Sequence, residues 1–147
     1  MANGPISLGN DLFLHIGLKY QIIHVPDLPN GPYKVKTHAY AYQLHHEGGP
    51  MLIGYHWHPT GESSFRDPHI HAPALLPGAG RVHFPSERTS LEAVIRFCIG
   101  ELHAEPNRKD WAEVLAMNED LFETYRTWPP QPRLGGGQRQ EQPQQDA

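Results

Sequence analysis

The chain has a single cysteine, Cys98, among its 147 residues. No internal disulfide can therefore form, and a reducing, cytosolic compartment is the expectation. No apolar run approaches the roughly 18 residues that cross a bilayer as a helix. No segment combines a basic start, an apolar stretch and a small-residue cleavage site, so neither a membrane span nor a secretory leader is expected. A Walker loop, a G-x-S-x-G elbow and a dinucleotide fingerprint are also missing, which argues against ATP, NAD and serine-hydrolase chemistry. Positive charge is not in excess: the formal net charge is -4, unlike that of a constitutive nucleic-acid coat protein.

Eleven histidines are present, and their placement matters more than their number. Ten precede residue 89, in a half where acidic and basic residues balance at six each. Residues 89 to 128 carry eight acidic against four basic residues. Partial protonation of the imidazoles would make the first half positive while the second stays acidic, so an anionic ligand is expected on the first half.

Pattern along the chain gives the fold class. Residues Leu18 to Val25 are rich in β-branched and aromatic side chains until the breaker Pro26-Asp27-Leu28-Pro29-Asn30-Gly31-Pro32, which reads as strand and turn. Residues 33–46 and 51–58 flank Glu47-Gly48-Gly49-Pro50, and a two-residue Gly48-Gly49 turn would join them as a hairpin. That turn pairs His46 with Met51, Leu44 with Ile53, Tyr42 with Tyr55 and Tyr40 with Trp57 on one apolar, aromatic face. The other face then carries His45 with Leu52, Gln43 with Gly54, Ala41 with His56 and Ala39 with His58: histidines above small residues. Pro68 to Ala72 alternates again as a strand. A turn at Pro77-Gly78-Ala79-Gly80 leads to a short strand from Arg81 to Phe84.

Two helices follow. Thr89-Ser90-Leu91-Glu92 reads as a capping box before Leu91, Val94, Ile95, Cys98, Ile99 and Leu102 at helical spacing. Asp110-Trp111-Ala112-Glu113 reads as a second, opening a helix with Trp111, Val114, Leu115, Leu121, Phe122 and Tyr125 inward. The expected architecture is one α+β domain over residues 1–128, an antiparallel β-meander with two C-terminal amphipathic helices packed on its aromatic face. Residues 129–147, rich in Pro, Gly and Gln, are expected to be a disordered tail. Cys98 falls on the first helix's apolar stripe, where an inert buried thiol is expected. The register turns Tyr42 into the core.

His56-Trp57-His58 and His69-Ile70-His71 are the constellation that can carry chemistry, with His83 nearby. A histidine on a strand is ordinarily a hydrogen-bonded surface residue, so the repeated H-x-H spacing carries the argument. Two such pairs on neighbouring strands place four imidazoles on one surface. Two uses of them are open, acid–base chemistry first and metal binding second, since no cysteine joins the cluster and no H-E-x-x-H signature occurs. In an acid–base reading without cofactor, His56, His58, His69 and His71 are catalytic: one takes a proton from a ribose 2′-hydroxyl and another protonates the leaving oxygen. Arg66 would be the stabilising cation, while Arg81, His83 and Arg88 would bind substrate. In a metal reading the same four histidines, with Asp67 as an oxygen ligand, hold zinc or another divalent transition ion. Asp67 would alternatively orient an imidazole or serve the turn before Pro68.

The middle of the chain resembles the TumE-like family of small toxins from bacterial toxin-antitoxin pairs. The residues concerned are Tyr40-Ala41-Tyr42, Leu52-Ile53-Gly54-Tyr55, His56-Trp57-His58-Pro59, Pro68-His69-Ile70-His71, and Phe84-Pro85-Ser86 running into Thr89-Ser90-Leu91-Glu92-Ala93-Val94-Ile95. They span roughly residues 40 to 95. His56-Trp57 stands where the family has Asp-Asn, so no family role for that Asp passes to His56. The resemblance implies a growth-inhibiting protein acting on RNA, held inactive by a cognate antitoxin; a homodimer and a non-catalytic binding module of such a pair are compatible with it.

Overall fold

Alternation of side chains across two long strands organises the molecule. The computed structural model describes residues 4–29, 31–60, 65–75 and 82–125. Among these, β1 (Ile6–Ser7), β2 (Leu12–His24), β3 (Tyr33–His46), β4 (Met51–Trp57), β5 (His69–His71) and β6 (Phe84–Pro85) form one antiparallel sheet in chain order. The helices α1 (Leu91–Gly100) and α2 (Trp111–Tyr125) follow. This is the expected α+β meander. No helix of the described residues is long and apolar enough to cross a membrane.

The β3–β4 register agrees with the sequence expectation over Tyr40↔Trp57, Ala41↔His56, Tyr42↔Tyr55, Gln43↔Gly54 and Leu44↔Ile53. It departs next to the turn, where His45 pairs with Met51 across a bulge instead of with Leu52. The turn itself is centred one residue early. The Gly49 N–H donates to the His46 carbonyl at 3.0 Å, and Gly48 takes φ 62°, a region glycine enters at little cost. The bulge absorbs the offset, so the faces beyond it are preserved.

One face carries Leu12, Leu14, Tyr40, Tyr42, Leu44 and Trp57, all buried. They form a single core with Val94 and Cys98 of α1 and with Ala104. Tyr40 and Tyr42 stack at 4.9 Å with an interplanar angle of 5°, and burial raises the pKa of both phenols, so neither is an acid near neutral pH. Cys98 is fully buried and burial pushes its thiol up to about 11, as an inert core thiol requires.

Helix α2 lies against α1, joined to it by an Arg96–Glu119 ion pair at 2.6 Å. Its C-terminal Leu121, Phe122 and Tyr125 line a cavity of about 290 Å³ with Leu28, Tyr33 and Val35 of the β2–β3 end. Leu115 is buried, but Leu121, expected inward, is 39% exposed.

Three further local expectations are corrected. Strand β2 starts at Leu12 rather than Leu18, and it pairs with β1 through a turn in which Asn10 and Asp11 take φ 50° and 56° and the Leu12 N–H donates to the Gly9 carbonyl at 2.9 Å. Asn and Asp tolerate this left-handed conformation, which tight hairpins favour. The cap of α1 is Ser90, not Thr89: its hydroxyl accepts from the Ala93 N–H at 3.1 Å. Thr89 is held outside the helix because its N–H donates to the Tyr40 hydroxyl at 3.0 Å and its own hydroxyl to the Glu87 carbonyl. At α2, the Asp110 carbonyl accepts the first helical bond from Val114, while its carboxylate is drawn back to Arg108 at 2.7 and 2.9 Å. The Pro77–Gly80 turn, Arg81 and the tail from Pro129 lie outside the described residues.

The two capping assignments make opposite predictions in urea unfolding. Ser90→Ala should cost about 1 kcal/mol, the usual loss of an N-cap hydroxyl, whereas Thr89→Ala should cost only a few tenths.

Candidate metal centre

The opposite, open face of the sheet assembles the histidines. Pairing of β4 with β5 sets His56 directly across from His69 and Gly54 across from His71. The β5–β6 register, His69↔Pro85 and Ile70↔Phe84, extended by one residue sets His83 across from His71. Ring centroids record the result: 4.9 Å for His56–His71 and for His69–His71, 5.7 Å for His56–His69, and 4.7 Å from His83 to both His69 and His71. His58 stands at the rim, 5.5 Å from His56 and 6.5 Å from His69. The five histidines expected at the site therefore meet.

Within that cluster His56, His69 and His71 each direct one ring nitrogen inward, and these atoms lie within 4.8 Å of one another. Nitrogens on a tetrahedral zinc stand about 3.3 Å apart given its bond lengths, a difference small side-chain rotations can close. His69 is buried at 3% exposure, and its Nδ1 lies 2.7 Å from the Asp67 carbonyl oxygen. A carbonyl only accepts, so Nδ1 carries the proton and the Nε2 lone pair faces the cluster. Asp67 thus orients an imidazole, but through its backbone; its side chain is exposed and is not among the converging ligand atoms. His56 Nε2 lies 3.1 Å from the Gln43 carboxamide, which can donate or accept according to its rotation. His71 Nδ1 is buried and makes no hydrogen bond of good geometry among the described residues.

The rings resist protonation. Burial, then the charges that His71, His58, His69 and His83 would carry, lower His56 to about 4. His69 is lowered by burial, with the Asp67 carbonyl opposing. His71 is lowered by burial and by His69 and His83, the nearby Val82 backbone partly offsetting this. Strands β2 to β5 contain no Asp or Glu, so no carboxylate on them shares the pocket's charge. Three imidazoles that favour the neutral form, each offering a ring nitrogen within 4.8 Å of the others, could hold a divalent transition ion.

Beside the cluster, next to His58, small residues leave space. Gly17, Lys19, Ala39, Ala41 and His58 line an open groove of about 350 Å³. At Gly54 an added Cβ would stand 2.7 Å from Met51 Sδ and 2.9 Å from His56 Nε2. The thioether can swing away, but the imidazole can yield only by leaving the cluster.

Of the expected cations, Arg88 does not join the rings. Arg88 sits on the helix side, its guanidinium 3.9 Å above the Trp57 ring, because Trp57 points away from its neighbours His56 and His58; the sheet separates it from the rings. Arg66 is exposed, and Arg81 lies outside the described residues. Sequence reasoning gave no role to Gln43, Gly54 or Phe65, whose ring stacks on His83 at 5.0 Å and meets His69 edge-on at 5.1 Å. The β3–β4 register held the signal for the first two; Phe65 carried none.

Comparison with family models, with curated proteins and with solved structures finds no match to this chain.

Folded and unfolded chains take up protons differently, which fixes a pH dependence. The unfolded histidines protonate near pH 6.5, while in the folded chain His56, His69 and His71 refuse protons until lower pH, about 4 for His56. Stability of the metal-free protein should be full above about pH 6.5 and fall as acid is added. Thermal melts at pH 7 and pH 5 should differ by several degrees, and His56→Gln should narrow that difference. Equal melting temperatures in the wild type would contradict the cluster's burial.

Proposed function

We propose that the protein is a metal-dependent hydrolase, with His56, His69 and His71 as ligands of a divalent transition ion such as zinc and an anionic phosphoester as substrate. The convergence of three ring nitrogens within 4.8 Å carries this reading. The His69–Asp67 contact supports it as a ligand-orienting bond of the kind that accompanies metal-bound imidazoles. Such an ion supplies Lewis acidity and lowers the cost of ionising water.

The chain's own residues do the rest. His58 at the rim can exchange a proton with a substrate in the groove. Alternation along β2 and β3 places Lys19, Lys34 and Lys36 on the same open face, which favours an anion there. RNA as that anion, and an antitoxin as partner, rest on the motif resemblance alone. Acid–base cleavage without metal uses the same rings but needs a fixed cation beside them, and Arg88 is held on the opposite face.

Tag-free protein, stripped and titrated with zinc, should bind one equivalent per chain. His69→Ala should weaken binding by 100-fold or more. Gly54→Ala and Gln43→Ala, which disturb His56, should each cost about 10-fold. Absence of stoichiometric zinc, cobalt or manganese binding would refute the metal centre.

The activity should be followed on RNA and on a chromogenic phosphodiester. Cleavage should vanish with chelator and with His56→Ala/His69→Ala, and return when metal is restored to the wild type. Cleavage indifferent to chelator would establish the metal-free mechanism; tight zinc binding without hydrolysis would make the centre structural.

A further inference from the structure

We propose that the outer edge of β2 is a dimerisation surface, on which a second copy of this chain adds its own β2 antiparallel to the first. Strand β1 covers only the start of that edge, pairing with Phe13 and Leu14. From Ile16 to His24 the edge has no strand partner among the described residues. A long uncovered edge presents a ladder of backbone donors and acceptors to any matching strand.

The side chains on that edge are unusual for a surface. Ile16, Leu18, Tyr20 and Ile22 alternate onto the helix-bearing side and are 38%, 40%, 54% and 62% exposed. A bulge between Lys19 and Tyr20 shifts the parity of β3, so Tyr33 and Val35, 65% and 50% exposed, join them. Together they expose roughly 600 Å² of apolar and aromatic side chain, at the upper end of what monomers tolerate in one patch and near the about 800 Å² per partner of a standard interface.

A second copy fits this edge because the edge is self-complementary. Its open part, Ile16 to His24, has Tyr20 at its midpoint. A two-fold axis there pairs Tyr20 with Tyr20, Leu18 with Ile22, Ile16 with His24, Lys19 with Gln21 and Gly17 with Ile23. Apolar residues meet apolar or aromatic ones on the helix side, and no like charges stand opposite. The partner strand ends with His24 opposite Ile16, while the pairing of β1 stops at Leu14, so the two paired segments do not overlap. The axis runs perpendicular to the sheet, so both histidine clusters face the same way on one continuous surface.

Sedimentation velocity of the full chain, from about 1 to 100 µM, tests the interface. The expected species has twice the 16.6 kDa chain mass. Tyr20→Lys/Ile22→Lys should raise its dissociation constant at least 100-fold, whereas Met117→Lys, at an exposed position on α2, should leave it unchanged. Register is read by oxidation. Tyr20→Cys should form a covalent dimer, since directly paired strand residues lie within disulfide reach and Cys98 is buried; Lys19→Cys should not. A monomer across the whole range, whether the edge is bare or covered by the chain's own remaining residues, overturns the proposal. So does a dimer indifferent to the β2 lysines. Zinc titration of Tyr20→Lys/Ile22→Lys separates this outcome from the metal centre's, because both side chains lie on the helix side of the sheet, away from the cluster.

Discussion

Register between β3 and β4 is the constraint on which everything else depends. Side chains alternate across a strand, so a slip of one residue would carry Tyr40, Tyr42 and Leu44 to the open face and put the small Ala39 and Ala41 and the polar Gln43 beneath α1. The stacked Tyr40–Tyr42 pair and fully buried Leu44 make such a slip costly, since each large apolar side chain contributes about 1.5–3 kcal/mol on burial. The same choice that builds the core therefore decides where His56 points. Core and site are two readings of one alternation, and Trp57 against its neighbours shows it: the indole lies under Arg88 while the flanking imidazoles face the cluster.

A cluster of five histidines without strand carboxylates is an electrostatic liability if its members are charged. Unit charges about 5 Å apart repel by several kcal/mol at a protein-like effective dielectric, and partial burial adds a desolvation cost. His56, His69 and His71 escape this by staying neutral, as the direction of shift at each records. Neutral imidazole is also the form that donates a lone pair. What makes the cluster tolerable as a folded structure thus also makes it a ligand set, without any further adjustment of sequence.

Much of this was legible beforehand. Alternation fixed the hairpin faces, the H-x-H spacing marked both pairs of rings, and the amphipathic stripe of α1 placed Val94 and Cys98 inward. The misses share a cause: competition among local partners. Thr89 and Ser90 are equally good caps by composition, and only the Tyr40 hydroxyl, 49 residues away in the chain, removes Thr89. Asp67 looked like a carboxylate ligand, yet its carbonyl holds His69 because Pro68 turns the chain there. Arg88 follows the second H-x-H in the chain, yet the Trp57 indole on the far side of the sheet holds its guanidinium.

By itself the sequence determined the α+β class, the strand order of the hairpin, and which residue types share a face, because period-two alternation and helical spacing are local properties of the chain. Tertiary structure alone decided that β5 sets His69 opposite His56, that His83 comes back within 4.7 Å of two rings, and that His69 presents Nε2 rather than Nδ1 to the cluster. Those outcomes depend on how separate strands dock, and docking is set by long-range packing and backbone hydrogen bonding that no local pattern encodes.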